Sequence, residues 1–310
     1  ASGVRLPPSV IRAAAIEQPI IQQASLGLER PLASWADLRT DYMWTRGSRA
    51  LRSVNVNAPV NGVRPNPLVG NITEIQSSGR RASDRLAVAI NARYMPKRIL
   101  GMVMYQYANA RNDADAPTSL PADSTNPSAD WGPSAQDVRH RVFINVNAPL
   151  ADNLRLSVNV QGASAAPYNI TTGFDNNGDT VFNDRPAGVG RNSARGASQW
   201  TTNIRVNKSI GLGGMRQGPP SMPIPPSPSS GGALNQRVAG GGPVGGDGPQ
   251  MVVMQATNQK YRLDLYANIQ NAFNNVNYNA FIGNQLSPFF GTATSAQPPR
   301  RVEVGFSLGF

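Results

Sequence analysis

In the last ten residues, Val302, Val304, Phe306, Leu308 and Phe310 fall on one face and Arg301, Glu303, Gly305, Ser307 and Gly309 on the other. A period of two predicts a strand with one apolar and one polar side. The alternation recurs upstream. Tyr261, Leu263, Leu265, Ala267 and Ile269 alternate with Arg262, Asp264, Tyr266, Asn268 and Gln270. Val142, Ile144 and Val146 alternate with Arg141, Phe143, Asn145 and Asn147, and Leu154, Leu156, Val158 and Val160 with Arg155, Ser157, Asn159 and Gln161. A tight turn over Pro149 to Asn153 joins these two segments. Leu86, Val88, Ile90, Ala92 and Tyr94 form another apolar face, followed by a Pro96-Lys97-Arg98 turn and a run from Ile99 to Tyr107 with blurred alternation. With Gln22 to Arg30, Trp35 to Trp44 and Gln199 to Lys208, the pattern predicts about nine to ten spanning strands of transmembrane-barrel type.

The lengths of the connections alternate as well. Residues 31 to 34, 96 to 98 and 149 to 153 are short links, whereas 48 to 82, 113 to 135, 167 to 198 and 273 to 299 are long. A transmembrane barrel has this asymmetry, with short periplasmic turns and long external loops free to elaborate a binding surface. The exception is 211 to 258, on the short-turn side, with eight Pro between Pro219 and Pro249 and Gly runs such as Gly240-Gly241-Gly242. Such a composition forms no packed core and is expected to be disordered. The predicted organisation is therefore barrel strands and external loops over 1–210, a Pro/Gly-rich periplasmic linker over 211–258, and the final strands over 259–310.

Composition narrows the classes. Of 310 residues, 40% are hydrophobic and 15% charged, with 30 Gly and 26 Pro, a mix suited to strands and turns. No run of apolar residues is long enough for a spanning helix, while a barrel of alternating strands is compatible with a mean hydropathy of -0.33. The absence of Cys excludes disulfides and thiolate metal sites. The net charge of +11 raises nucleic acid, an anionic membrane surface or an acidic cargo as partners, and the distribution of the charge decides on the first. The arginines argue against it, because Arg141, Arg155, Arg205 and Arg262 are scattered singly among apolar residues, with no basic cluster or aromatic platform.

Candidate chemistry is sparse. His140 is the only histidine, which excludes a His-based triad or multi-His metal site within the chain, and it reads as a solvated strand residue. Asp113, Asp115, Asp123 and Asp130 lie in a Pro/Ser/Asn-rich loop with nothing rigid to hold them for catalysis. No enzyme is expected. Asp175, Asn177 and Asp179 have the alternate spacing of an oxygen-ligand calcium loop, and Asp184 adds a carboxylate. Gly178 is fourth rather than sixth in that loop and Pro186 stands at position twelve in place of Glu, and an Asx-rich turn explains the same residues, so calcium is only a weak candidate cofactor. Trp131, Phe289 and Phe290 are candidates for ligand contact; the alternatives are loop pinning or a place in the aromatic girdle.

The segment Asn271-Ala272-Phe273-Asn274-Asn275 with Asn277-Tyr278, followed by Pro298-Pro299-Arg300-Arg301 and a strand ending in Phe310, resembles the end of Oar-like TonB-dependent receptors. Tyr168 to Asp179, Phe182-Asn183-Asp184-Arg185-Pro186 and Gly190-Arg191-Asn192 resemble a late extracellular loop of that family. Gln22-Gln23 before Leu26-Gly27-Leu28-Glu29-Arg30, and Tyr42 before Arg46-Gly47-Ser48, also match it. The resemblance implies a barrel of 22 strands around a plug, importing a large ligand of siderophore, glycan or peptide class with energy from TonB. It also implies outer-membrane lipid and lipopolysaccharide as surroundings, and the barrel-assembly machinery as reader of Phe306, Leu308 and Phe310. An adhesin or matrix-anchoring barrel is the alternative. Counting back through nine strands from an inward-running last one starts the chain on the outer side. Since bacterial barrels begin in the periplasm with an even strand number, a fragment lacking plug and TonB box is expected, forming an open sheet.

Overall fold

The computed structural model describes residues 9–215 and 259–310. Nine long strands cross the sheet: β2 (Ile20–Ala33), β3 (Ala36–Asn55), β4 (Ile72–Tyr94), β5 (Ile99–Asn112), β7 (His140–Ala151), β8 (Leu154–Ala163), β11 (Gln199–Met215), β12 (Gln259–Gln270) and β15 (Arg301–Gly309). Six short strands lie among them: β1 (Val10–Ala13), β6 (Gly132–Pro133), β9 (Pro167–Tyr168), β10 (Ala194–Arg195), β13 (Tyr278–Phe281) and β14 (Ala293–Ala296). The long strands pair in the order β15-β12-β11-β8-β7-β5-β4-β3-β2, each antiparallel to its neighbours, and the sheet is open, with β15 and β2 at its edges. No described helix is long and apolar enough to cross a membrane, which leaves crossing by strands untouched.

Register turns the alternation of single strands into two continuous faces. One row of partners runs Ala36, Ala92, Gly101, Val146, Val158, Ile204, Ile269, Val302. The neighbouring row on the other face runs Asp37, Asn91, Met102, Asn145, Asn159, Asn203. A slip of one residue would invert every one of these side chains, so the apolar face requires this pairing. Most of that face stays exposed: Val304 is 75% and Phe306 73% accessible. The buried apolar residues are small ones such as Ala87, Ala89 and Ala163, and no conventional apolar core forms among the described residues. A water-exposed face of this kind is costly, and hydrocarbon removes the cost.

The short turns are tighter than the pattern suggests. The β7–β8 ladder continues past Pro149 to an Ala151–Leu154 pair, leaving Asp152-Asn153 as the turn, with Asn153 in the left-handed region at φ 58°. Asn tolerates that conformation because its short polar side chain bonds locally. Arg98, at φ 51°, closes the 3-10 turn Met95–Lys97 between β4 and β5. The blurred run from Ile99 has a cause. Met102 and Met104 lie on the polar face, Met104 opposite Phe143, so apolar residues occupy both sides of β5.

At the opposite end the expected 48 to 82 loop is largely strand. β3 has 20 residues and β4 has 23, roughly twice the 9–11 that a membrane crossing needs. Their pairing continues to Asn55–Thr73 through irregularities around Ala50, and the loop proper is 56–71. β1 adds itself parallel to the outer end of β4, where Arg12 pairs with Glu74 at 2.8 Å. Beyond the membrane both faces meet water, so the apolar period vanishes while the backbone ladder persists. The linker expected over 211–258 lies outside the described residues except for 211–215, which extend β11.

Candidate functional site at the long-loop end

The best-buried side chains are polar, and many lie where the long loops converge. Asn57, 1% exposed, ties the 56–71 loop to itself: its Nδ2 donates to the carbonyls of Asn66 (2.9 Å) and Gly70 (2.7 Å), and its Oδ1 accepts from Asn66 N (2.7 Å). Asn55 Oδ1 accepts from the N–H groups of Asn57 and Ile72, and its Nδ2 donates to Asp179 O, joining this loop to the one after β8. Ser53 Oγ donates to Pro117 O at 2.7 Å, adding the loop after β5. Each bond satisfies a buried group that would otherwise lose water without compensation.

Ion pairs complete the cap. Arg185, Arg191 and Arg195, all from the loop after β8, pair respectively with Asp130, Asp115 and Asp137 from the segment between β5 and β7. The Arg185–Asp130 and Arg195–Asp137 pairs measure 2.5 Å. At the base, Arg52 and Asp113 pair at 3.3 Å with side chains only 3% and 1% exposed, and Arg80 reaches the same carboxylate. Burial holds the Arg52 guanidinium below its usual value, and the charges of Asp113 and Asp130 offset only part of that. Burial also opposes ionisation of Asp115, but the Ala135 N–H, Asn112, Arg191 and Asn192 outweigh it and hold its carboxyl below the ordinary range.

The expectation that Asp113, Asp115 and Asp130 have nothing rigid to hold them is corrected here. Asp130 and Asp115 are held by Arg185 and Arg191, 55 and 76 residues away on another loop, and Asp113 by Arg52 of β3 and Arg80 of β4. Only Asp123 keeps purely local bonds, capping a turn through Thr125 and Asn126. The arginines that hold the cap had been legible only as part of a loop motif, Asp184-Arg185 and Gly190-Arg191-Asn192, and Arg195 not at all.

The other candidate residues fall in distinct places. Trp131 lies under the Arg80 guanidinium at 5.3 Å, packed between the loop and β4. Phe289 and Phe290, between β13 and β14, are 62% and 40% exposed in a turn closed by Phe290 N donating to Ser287 O. Phe306, Leu308 and Phe310 project from the apolar face at the β15 edge, at 73%, 58% and 90% exposure. Asp175, Asn177, Asp179 and Asp184 share one turn. Asp175 accepts from the N–H groups of Asp179 and Thr180, and Asn177 Oδ1 also accepts from Asp179 N. Asp184 Oδ2 accepts from those of Asn176 (2.6 Å) and Asn177 (3.2 Å). His140 belongs to the apolar face, where its Nδ1 lies 2.7 Å from Tyr105 Oη and its ring packs against Tyr107. With Trp35 and Tyr94 edge to face at the short-turn end, these rings mark the two borders of the apolar belt.

Behind the cap, the polar face carries its own pairs. Arg39 and Asp41 meet at 2.8 Å, Arg262 and Asp264 at 2.7 Å, and Ser157 Oγ donates to Asn147 Oδ1 at 2.5 Å. Arg205 stands over the Tyr266 ring at 4.6 Å. Gly305 makes room for that ring, since a Cβ there would meet it at 2.5 Å. Asn, Gln, Ser and paired charges at these positions suit a wetted interior, and hydrogen-bonding side chains facing water give a polar ligand a passable wall.

An apolar exterior, a polar interior and long loops gathered at one end define a membrane-embedded barrel wall. The chain belongs to the outer membrane beta barrel domain family, whose model matches residues 6–303. Its localisation is therefore the outer membrane, and the expectation of a non-enzymatic barrel accords with this family. Solved structures share the fold. The outer membrane transporter YddB from Escherichia coli is similar at 10% identity over 98% of this chain and 34% of its own, with a TM-score of 0.59. FpvA from P. aeruginosa, in a complex with heterologous pyoverdines, aligns at 10% identity over 94% of this chain and 27% of its own, with a TM-score of 0.51. The FrpB iron transporter from Neisseria meningitidis aligns at 9% identity over 96% of this chain and 32% of its own, also at 0.51. The chain thus spans about a third of the length of these structures or less. A comparison with curated proteins yields no match.

Proposed function

We propose that this chain forms part of the barrel of a TonB-dependent outer-membrane receptor, which captures a large ligand at the loop cap and passes it inward along the polar face. The observation that carries this reading is the joining of a prebuilt polar cap to a continuous polar wall. Rigid loops present a fixed surface to a ligand, and ordering entropy is then lost on folding rather than on binding. Fold likeness to outer-membrane transporters supports the same reading. In it, the surroundings are outer-membrane lipid and lipopolysaccharide, and TonB supplies energy through a plug carried elsewhere in the whole protein. Trp131, Phe289 and Phe290 offer flat apolar area at the mouth, and Phe306, Leu308 and Phe310 present the edge that the barrel-assembly machinery reads.

The test uses the whole protein in its own outer membrane. Labelled iron chelates, glycans and peptides are offered to cells with and without the protein, and with and without TonB. Uptake of one ligand class should need both. Surface binding with no uptake, unchanged by loss of TonB, would replace the transport reading with the adhesin one.

A further inference from the structure

Charge is distributed unevenly within the cap. Asp113, Asp115, Asp130 and Asp137 each have an arginine. Asp175, Asp179 and Asp184 share a ten-residue turn, and among the described residues no Lys or Arg forms an ion pair with any of them. Arg64, the nearest cation by its bonds, donates instead to Asn57 O, Asn71 Oδ1 and Thr180 Oγ1. Neighbouring Arg185 and Arg191 are turned away to Asp130 and Asp115. Three carboxylates without a counter-charge repel one another in a medium that screens them poorly.

Asp179 shows the consequence most clearly. It is 2% exposed, its Oδ1 accepts from Val181 N at 2.8 Å, and its Oδ2 is buried without a hydrogen-bond partner. Burial raises its carboxyl above the ordinary value, and the charges of Asp184 and Asp175 add to this; the Val181 and Ser124 N–H groups offset only part. A buried, unpaired carboxylate oxygen costs about 1–3 kcal/mol, more when charged. Such a group calls for a partner that the protein does not supply.

The backbone of the turn suits an oxygen-liganded cation. In a calcium loop the sixth position has to take up a left-handed conformation, a role normally filled by Gly. Counting from Asp175, position six is Thr180, and Thr180 has φ 69°. A β-branched residue there is a genuine conformational outlier, and Gly178 at φ 71° supplies a second reversal. The Gly that the sequence lacks at this place is therefore replaced in conformation by Thr180. Asp175 and Asn177 accept N–H bonds that draw the turn around its own side-chain oxygens. Each of those oxygens retains a second lone pair.

We infer that Asp175, Asn177 and Asp179 form a calcium site, in a turn that Asp184 braces through the Asn176 and Asn177 N–H groups, and that it locks the loop after β8 into the cap. Among the described residues no three His, Cys, Asp or Glu side chains are grouped to hold a metal ion, so the acidic ligands are two, Asp175 and Asp179. Asn177 Oδ1, main-chain carbonyl oxygen and water complete the shell, as calcium allows with its six to eight ligands and flexible geometry. Magnesium demands near-ideal octahedral geometry and is disfavoured. The site sits beside Asn55 and Ala122, to which Asp179 O and Asn177 Nδ2 are bonded, so filling it braces three loops together. The inference is independent of transport.

The test is calorimetric titration of CaCl2, and in parallel MgCl2, into the full-length protein purified in detergent and stripped with chelator. One calcium should bind in the micromolar to millimolar range typical of sensor and extracellular sites and protect residues 167–198 from protease. Asp179→Asn should weaken calcium at least tenfold while folding without calcium as well as the parent or better, because it removes an uncompensated charge. Asp175→Asn gives the same comparison should Asp179→Asn fail to fold, and Asp123→Asn should bind like the parent. No calcium heat and no protection would overturn the inference. So would equal binding of magnesium, or unchanged calcium affinity in the variants at 175 and 179.

Discussion

The belt and the cap of this molecule are built by opposite means. In the belt, nine strands are joined by backbone ladders, their apolar side chains point outward, and few apolar residues larger than Ala are buried. In the cap the outer ends of β3 and β4 meet short strands and irregular backbone, and the buried groups are Asn, Asp, Arg and Ser held by bonds between segments. The difference follows the solvent. Hydrocarbon solvates apolar side chains and leaves backbone groups to pair internally, so a closed ladder suffices there. Water competes for every polar group, so loops become rigid only where those groups are withdrawn from it and fully paired.

The comparison breaks most easily in the cap. Asp113→Ala leaves Arg52 buried without its carboxylate, an uncompensated charge costing about 3–5 kcal/mol. Limited proteolysis should then cut within residues 113–139 and 167–198 while the belt survives as a heat-modifiable band on gels. Loss of the belt along with the cap would show that the two are one cooperative unit.

A charge placed on either face of one strand sharpens the contrast. Val158 faces outward at mid-strand and Asn159 faces the polar side. Val158→Arg should cost about 2–4 kcal/mol in lipid, and Asn159→Arg close to nothing, as measured by denaturant unfolding in vesicles. Equal costs at the two positions would contradict the assignment of faces.

Acid should separate the regions more gently. Asp115 has its folded value depressed, so its contribution is complete above the ordinary carboxylate value of 3.8 and is lost as pH falls through the lower folded value. Asp179 has the opposite sign: its raised value favours the protonated form, and its stabilisation is lost as pH rises through that value. Protease accessibility of the cap should therefore rise below about pH 4 as Asp115 protonates, and also as pH climbs through the raised value of Asp179, with the belt unchanged. Asp179→Asn should firm the cap at neutral pH in the absence of calcium.

Much of the belt was legible in the sequence because a period of two records a boundary between two solvents. The nine strands, their facing and the open sheet follow from it, and Val302 to Phe310 states it without interruption. β5 was blurred because Met102 and Met104 put apolar groups on the polar side. The outer halves of β3 and β4 were hidden because strand residues wetted on both faces have no period to read. The cap was hidden for a different reason. Arg191 and Asp115 are 76 residues apart, and in a polar loop each reads as an ordinary solvated residue; only the fold shows that they meet.

The central claim is that one face of this sheet meets lipid and the other a wetted interior. The chain has no Cys, so single cysteines carrying a nitroxide can be placed at each position from 301 to 309 and from 141 to 147 with no native cysteine of this segment to remove. Their collision rates with oxygen and with a water-soluble nickel chelate would then be read in the full-length protein in outer membranes. The account predicts an oscillation of period two, with 302, 304, 306 and 308 and 142, 144 and 146 accessible to oxygen and their alternates to nickel. Opposite phase, or no oscillation at all, would contradict it.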